Sequence, residues 1–429
     1  MIPTKVTQTF ELAGFVPAGK LSNLISRICL RAATLAMALA GMLAPALLPA
    51  PSAHAQGFKL LYTFSGGADG AYPQEVALIA DQSGNLYGTT EGGGASNAGV
   101  VFKLDPSGQE TVLYSFTGGA DGGNPFAGVI SDSAGNLYGT TLYGGVQPGN
   151  FGVVFKLDPA GSETVLYAFN YIDGANPLAG LVQDAAGNLY GSTYYGGTHG
   201  DGTVFELGTT GTEKVLYAFG GAVHGANPSG ALVRDSAGNL YGTTFDGGDL
   251  NGCSGNINFL PGSPGCGVVF KLSSAGHEMV SYLFTGGTDG GNPYANVIRD
   301  AAGNLYGTTQ FGGAFNYGTV FKLNPAGTET VLYTFTGGTD GARPFDGVVQ
   351  DAAGNLYGTT NARGGGRCAC GTVYKLDPAG QFTVVHTFDG DDGQYPEAPL
   401  LLHEGALYGI TSGGGPGGGT GTVFQITLP

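Results

Sequence analysis

The phrase Gly84-Asn85-Leu86-Tyr87-Gly88-Thr89-Thr90 is written seven times along the chain with small variation, opening at Gly84, Gly135, Gly187, Gly238, Gly303, Gly354 and Gly405. Neighbouring copies lie 51 or 52 residues apart, except for one interval of 65 between the fourth and the fifth. A fixed period of that length means one structural unit stacked on copies of itself, since a single unit is too small to bury its own apolar face.

Each period contains four segments of strand composition separated by turn chemistry. In the fifth these are Asn296 to Asp300, Leu305 to Thr309, Thr319 to Leu323 and Glu329 to Phe335, with Asp-Ala-Ala-Gly-Asn and Asn-Pro-Ala-Gly as tight turns and a Gly312-Gly313 loop between the second and third. Val331, Leu332, Tyr333 and Phe335 put apolar groups on both sides of the pleat, as in strands covered on both faces. Small four-stranded antiparallel sheets packed face to face around an axis supply that environment. The expected fold is therefore an all-β, seven-bladed propeller. Small residues in the first segment (Ala179, Gly180, Ala231, Gly347) suit the crowded axis. The Val-Leu-Tyr-x-Phe segment occurs once before the first complete repeat, at Leu60 to Phe64, and is absent after the last segment, Thr422 to Ile426. Lys59 to Phe64 is thus expected to pair beside Thr422 to Ile426 and close the ring, removing an unpaired edge.

Residues 1–55 read differently. Lys5, Lys20, Arg27 and Arg31 precede an apolar run from Ala32 to Leu48 and a small-x-small site, Ala53-His54-Ala55, the pattern of a secretory signal peptide cleaved after Ala55. An uncleaved anchor is the alternative. The domain expected from 56 to 429 contains no second apolar stretch long enough to span a bilayer, and export to the periplasm or beyond, as a monomer, is the expected fate. With 82 Gly and 22 Pro the composition borders on low complexity, but each Gly recurs at a set place in the period, which overrules disorder. A net charge of −16 with only 16 Lys and Arg excludes a nucleic-acid partner, which needs a basic stripe.

The Asp-Ala-Ala-Gly-Asn-Leu-Tyr-Gly-Thr-Thr, Gly-Thr-Val-Phe-Lys-Leu and Val-Leu-Tyr-x-Phe-x-Gly-Gly-x-Asp-Gly phrases resemble the GloVer tandem repeat of exported bacterial proteins over nearly all of residues 57–429, and the Asp-x-x-Gly-Asn-Leu-Tyr hairpin is more distantly similar to that of NHL-type propellers. The resemblance implies an exported repeat protein of no established activity, often with a C-terminal sorting anchor. Here Pro429 follows the final strand directly.

In a propeller the connections from outer to next inner strand share a face with those between second and third strands. That face collects the candidate sites. Asp69, Asp121, Asp173, Asp289, Asp340 and Asp392 recur there, with His224 in the fourth copy. They read either as a carboxylate set for a divalent cation such as calcium or as Asx turns bonding their own backbone. Asp132, Asp184, Asp235, Asp300 and Asp351 in the hairpin turns read as structural. Residues that break the repeat are not demanded by it: His199, Asp201 and His224 could hold a transition metal, and Phe259 and Leu260 lie within the insertion 249–266 as a ligand contact or as part of a plain surface excursion. Cys253 and Cys266 bracket that insertion and are expected to be bridged, a loop closure of roughly 3 kcal/mol in the chain-entropy model. Cys368 and Cys370 are either a strained disulfide or two thiols. No nucleophile elbow, zinc-protease helix or phosphate loop is present. The expected function is a non-catalytic binding module for a glycan, a cell-surface component or a protein. The alternative is a lyase or hydrolase at the channel mouth, which perturbed titrating groups converging there would favour.

Overall fold

The computed structural model describes residues 57–145, 149–250, 253, 265–366 and 368–429. Residues 1–56, which include the expected signal peptide, lie outside the described residues, as do Phe259 and Leu260. Seven four-stranded antiparallel sheets make up the structure. We number the blades from the first complete one: blade one contains Ile79–Ala80, Leu86–Thr90, Val100–Leu104 and Glu110–Ser115, and blades two to six follow in chain order. Blade seven joins the two ends of the chain, with Leu401–His403, Ala406–Thr411 and Thr422–Thr427 completed by Phe58–Thr63. Phe58 faces Ile426, Leu60 faces Phe424 and Thr63 faces Thr422, which is the closure expected from the strand count.

The repeated phrase can now be read atom by atom. In the first hairpin Asp81 accepts bonds from the Ser83 and Asn85 amides (2.8 and 3.0 Å), the Asn85 side chain (2.7 Å) and the Tyr87 hydroxyl (2.9 Å). One carboxylate therefore fixes the whole Asp-x-x-Gly-Asn-x-Tyr turn. Gly88 has no side chain because the Phe102 ring lies across it; a Cβ there would sit 2.7 Å from that ring. The two threonines do different work. Thr89 donates across the blade boundary to the Ala127 carbonyl (2.8 Å), and Thr90 bonds the Gly92 carbonyl of its own loop (2.8 Å).

The inner strand departs from expectation. The stretch from Asn296 to Asp300 is ordered as a strand only at Ile298–Arg299, and just ahead of it the Ala295 carbonyl accepts from Thr243 of the preceding blade (2.7 Å). The outer strand stops at Thr334, one residue short. Phe335 turns inward, fully buried, to pack on Tyr374 of the next blade. Seven such edge-on pairs ring the molecule, from Phe64–Phe102 to Phe388–Phe424, with centroids 5.1–5.3 Å apart. Each adds about 0.5–1.5 kcal/mol beyond its buried area.

Gly99, with φ of 90°, is another obligatory glycine. A Cβ there would stand 2.2 Å from the Thr90 carbonyl and 2.6 Å from Pro125, the proline that leads into the next blade. Cys253 and Cys266 are disulfide-bonded, their Cα atoms 5.1 Å apart. The sulfurs of Cys368 and Cys370 are likewise joined, with the same Cα separation. No helix among the described residues is long and apolar enough to cross a membrane.

Candidate functional site

In every blade the loop entering the inner strand pairs with the loop leaving the second strand, as Ala71 with Gly92 or Ala175 with Tyr195. The two kinds of long loop thus share one face, around one end of the central channel.

The repeated loop aspartates are spoken for within their own repeats. Asp69 accepts from the Tyr62 hydroxyl (3.0 Å) and the Ser65 amide (2.7 Å), and Asp121 and Asp340 accept equivalently from Tyr114 with Thr117 and from Tyr333 with Thr336. Asp173 and Asp289 bind Tyr167 and Tyr282, and Asp392 meets the His386 ring at 2.7 Å. Asp69, Asp121, Asp173 and Asp289 are followed across the blade boundary by a glutamate opening the next outer strand, whereas Phe382 and Phe58 open the strands that follow Asp340 and Asp392. Glu110, Glu163, Glu213 and Glu329 each bury Oε1 without a hydrogen-bond partner. Burial, and after it the charge of Asp69, Asp121, Asp173 or Asp289, pushes each of these carboxyls up to about 7.

His199 lies against Gly220, where a Cβ would meet its ring at 3.3 Å. His224 belongs to a short 3-10 turn, Ala222–His224, and its Nδ1 faces Glu278 Oε2 at 3.1 Å. Asp201 bridges back to Gly196 through the backbone and its charge reaches Asp246. Among the described residues no group of three or more His, Cys, Asp or Glu is arranged to hold a metal ion.

The channel mouth carries groups that sequence reasoning passed over. The positions after the loop proline bring Glu75, Phe345 and Asp346 to the lining of the central cavity. Four repeats write Asn-Pro before them, at Asn124, Asn176, Asn227 and Asn292, and these asparagines bond a carbonyl of the preceding blade, as Asn124 does to Glu91 (3.0 Å). Blades one, six and seven instead have Tyr72, Arg343 and Tyr395, and these are the blades that bring Glu75, Glu91, Asp346 and Glu397 to the mouth. Ring closure makes the three blades neighbours. The signal was in the sequence, as a break in the Asn-Pro pattern coupled to an acid one to three residues later. It was scattered between residues 72–91 and 343–397, and only the closed ring assembles it.

Asp346 is 6% exposed and accepts from the Gly347 amide at 2.5 Å. Burial pushes it up to about 7. Glu75 holds a positive φ of 44°, bonds the Tyr294 hydroxyl, and keeps Oε1 sealed from solvent without a partner. Burial raises its carboxyl well above the usual range and the Asp346 charge adds to that. Burial also raises Glu397 and Glu91; Glu397 accepts from Asn361 (3.2 Å) and Glu91 from Gln74 (2.7 Å). Glu75, Tyr294, Phe345 and Asp346 line a cavity of about 280 Å³ that continues down the axis between Ile79, Val129, Leu181 and Leu400.

Beside the mouth, blades two and three present aromatic faces. Tyr143 and Tyr171 are 42% and 44% exposed. Phe151 packs on Tyr171 (5.4 Å), Tyr194 on Tyr195 (4.7 Å), and Tyr195 lies within electrostatic reach of Tyr143, Tyr171 and Asp246.

Among solved structures the chain is similar to the extracellular domain assigned to a one-component system of B. thetaiotaomicron, with 9% identity and a TM-score of 0.54 over 87% of this chain; it spans about two fifths (40%) of that structure's length. It is also similar to a gluconolactonase of Xanthomonas campestris, with 13% identity and a TM-score of 0.41 over 87% of this chain and 89% of the other. The first likeness shows the propeller fold. Curated protein sequences give no match. The family model of the Gloeobacter/Verrucomicrobia repeat matches residues 51–257 and 260–429, nearly the whole of the propeller, and the chain belongs to that family.

Proposed function

We propose that this protein is an exported, monomeric binding propeller whose long-loop face takes a saccharide. The observation that carries the reading is the exposed tyrosine platform on blades two and three, where Tyr143, Tyr171 and Tyr195 offer ring faces within reach of the Asp246 carboxyl, itself near Asp201. Sugars present an apolar ring face and a polar rim, and tyrosine matches both with little conformational entropy to lose. Platforms of this kind bind without needing a deep pocket. A glycan array probed with the purified protein tests it. Tyr143→Ala and Tyr171→Ala should each weaken binding by about tenfold or more, as loss of a central aromatic contact does, with the melting temperature unchanged. Binding that survives both substitutions would overturn the platform.

A second reading, a lyase or hydrolase, is favoured by the raised carboxyls of Asp346 and Glu75 at the mouth, since a protonated carboxyl near neutrality can act as a general acid. Chain shortening or unsaturated product from any glycan found on the array would decide for it.

A further inference from the structure

The acids at the channel mouth, Asp346 buried and Glu75, Glu91 and Glu397 half-buried, lack what buried acids normally have. Among the described residues no Lys or Arg forms an ion pair with Glu75, Glu91, Asp346 or Glu397, although a buried carboxylate is costly unless paired. Two buried hydroxyls within reach of their charge are also without a partner, though neither lines the cavity. The Tyr374 hydroxyl is fully buried, has no partner and feels the charge of Asp346; every other blade has phenylalanine at that place. The Tyr194 hydroxyl, on a side chain 1% exposed, is also unpartnered and feels Glu75. The repeat fold does not require either hydroxyl, as six phenylalanines demonstrate for the first. The walls are aromatic, with Tyr294 and Phe345 4.6 Å apart and Phe245 5.6 Å from Tyr294.

Carboxylates without cationic partners, set against aromatic faces in a small cavity, make a site complementary to a positive charge on an organic group. Ring faces attract such a charge through their quadrupole, and the carboxylates are neutralised by it instead of by protons. A neutral hydroxylic ligand would leave the acids needing those protons. The net charge of −16 draws cations to the surface in the first place. We propose that the channel mouth binds a small organic cation, an ammonium headgroup held by Glu75 and Asp346 against the rings of Tyr294 and Phe345. The site is separate from the tyrosine platform and its ligand need not be the saccharide.

Calorimetric titration of the intact protein tests this, with choline and ethanolamine as cations, 3,3-dimethylbutan-1-ol as the uncharged shape analogue of choline, and calcium chloride as the inorganic competitor. At about pH 8 at least one organic cation should bind about tenfold or more tightly than the neutral analogue, and its affinity should fall by up to about tenfold per pH unit as protons compete below pH 7. Glu75→Gln and Asp346→Asn should each weaken it by about tenfold or more. Tyr294→Phe, which keeps the ring and removes only the bond to Glu75, gives a third reading should either carboxyl variant fail to fold. Equal binding of cation and neutral analogue, no organic cation bound at pH 8, or calcium binding that the same substitutions abolish while choline is ignored would each overturn the proposal. A failure here leaves the saccharide reading intact, because neither Tyr143 nor Tyr171 is part of this site.

Discussion

His224 Nδ1 faces Glu278 Oε2 at 3.1 Å across the boundary between blades three and four, in the one repeat that lacks the loop aspartate. Four of the other boundaries set an aspartate near the glutamate. Glu110, Glu163, Glu213 and Glu329 are held up to about 7 from an ordinary 4.5. Between those two values the folded protein binds protons that the unfolded chain has released, so stability falls as pH rises through this interval. Thermal melts followed by circular dichroism should give a higher melting temperature near pH 5 than near pH 8. The hairpin aspartates, such as Asp81, act in the opposite sense: burial alone would raise it, but bonds from Asn85 and Tyr87 hold it below 3.8. Their contribution is lost only in stronger acid. A melting temperature that climbs steadily from pH 5 to pH 8 would contradict the assignment of the glutamates.

Substituting His224→Asp should bring the exceptional boundary into line with the others. The pair is partly exposed, His224 at 56%, so the loss of stability at pH 8 should be no more than about 1 kcal/mol. Urea unfolding at pH 8 reads it.

Tyr374→Phe should stabilise the ligand-free protein. It restores the residue used by the other six blades and removes a fully buried hydroxyl without a partner, worth about 1–3 kcal/mol when unsatisfied. A urea midpoint that drops instead would mean that the hydroxyl is satisfied in solution.

Two glycines with left-handed backbones separate conformational strain from collision. At Gly380 (φ 84°) a Cβ would meet nothing within 4 Å, whereas at Gly99 (φ 90°) it would run into the Thr90 carbonyl and Pro125. Gly380→Ala should cost about 1 kcal/mol, the price of the backbone conformation alone. Gly99→Ala should cost more than twice as much and yield less soluble protein; equal losses would show that the loop relaxes around the new methyl group.

Removing residues 422–429 should convert the protein from a cooperative unfolder into an aggregating species. The deletion takes away Val423 and Phe424, both fully buried, and leaves Phe58–Thr63 as an unpaired strand. Size-exclusion chromatography after expression reads the outcome, and a monodisperse, cooperatively melting truncation would refute the closure's importance.

Nearly all of the architecture was legible from the sequence because every element is written seven times, so a weak local signal becomes a strong periodic one. Leu305–Thr309 and Thr319–Leu323 form the strands at the positions read for them. The inner strand is shorter than expected, and the carbonyl ahead of it accepts from a threonine of a neighbouring blade, a relation that no single repeat contains. The channel mouth was missed for a related reason. Attention went to loops that differ in length, and Glu75, Asp346 and Glu397 occupy positions of constant spacing where only chemistry changes. Distance along the chain hid a sector that distance in space makes continuous.

The seventh sheet is assembled from the two extremities of the domain, and this sets the timing of folding. Until residues 422–427 have left the ribosome, the strand Phe58–Thr63 has no partner and six sheets stand as an open arc with an adhesive edge at either end. Maturation is therefore all-or-nothing at the last step, and any chain interrupted by early termination or proteolysis presents sticky strands to chaperones and proteases, a built-in inspection of whether the polypeptide arrived whole.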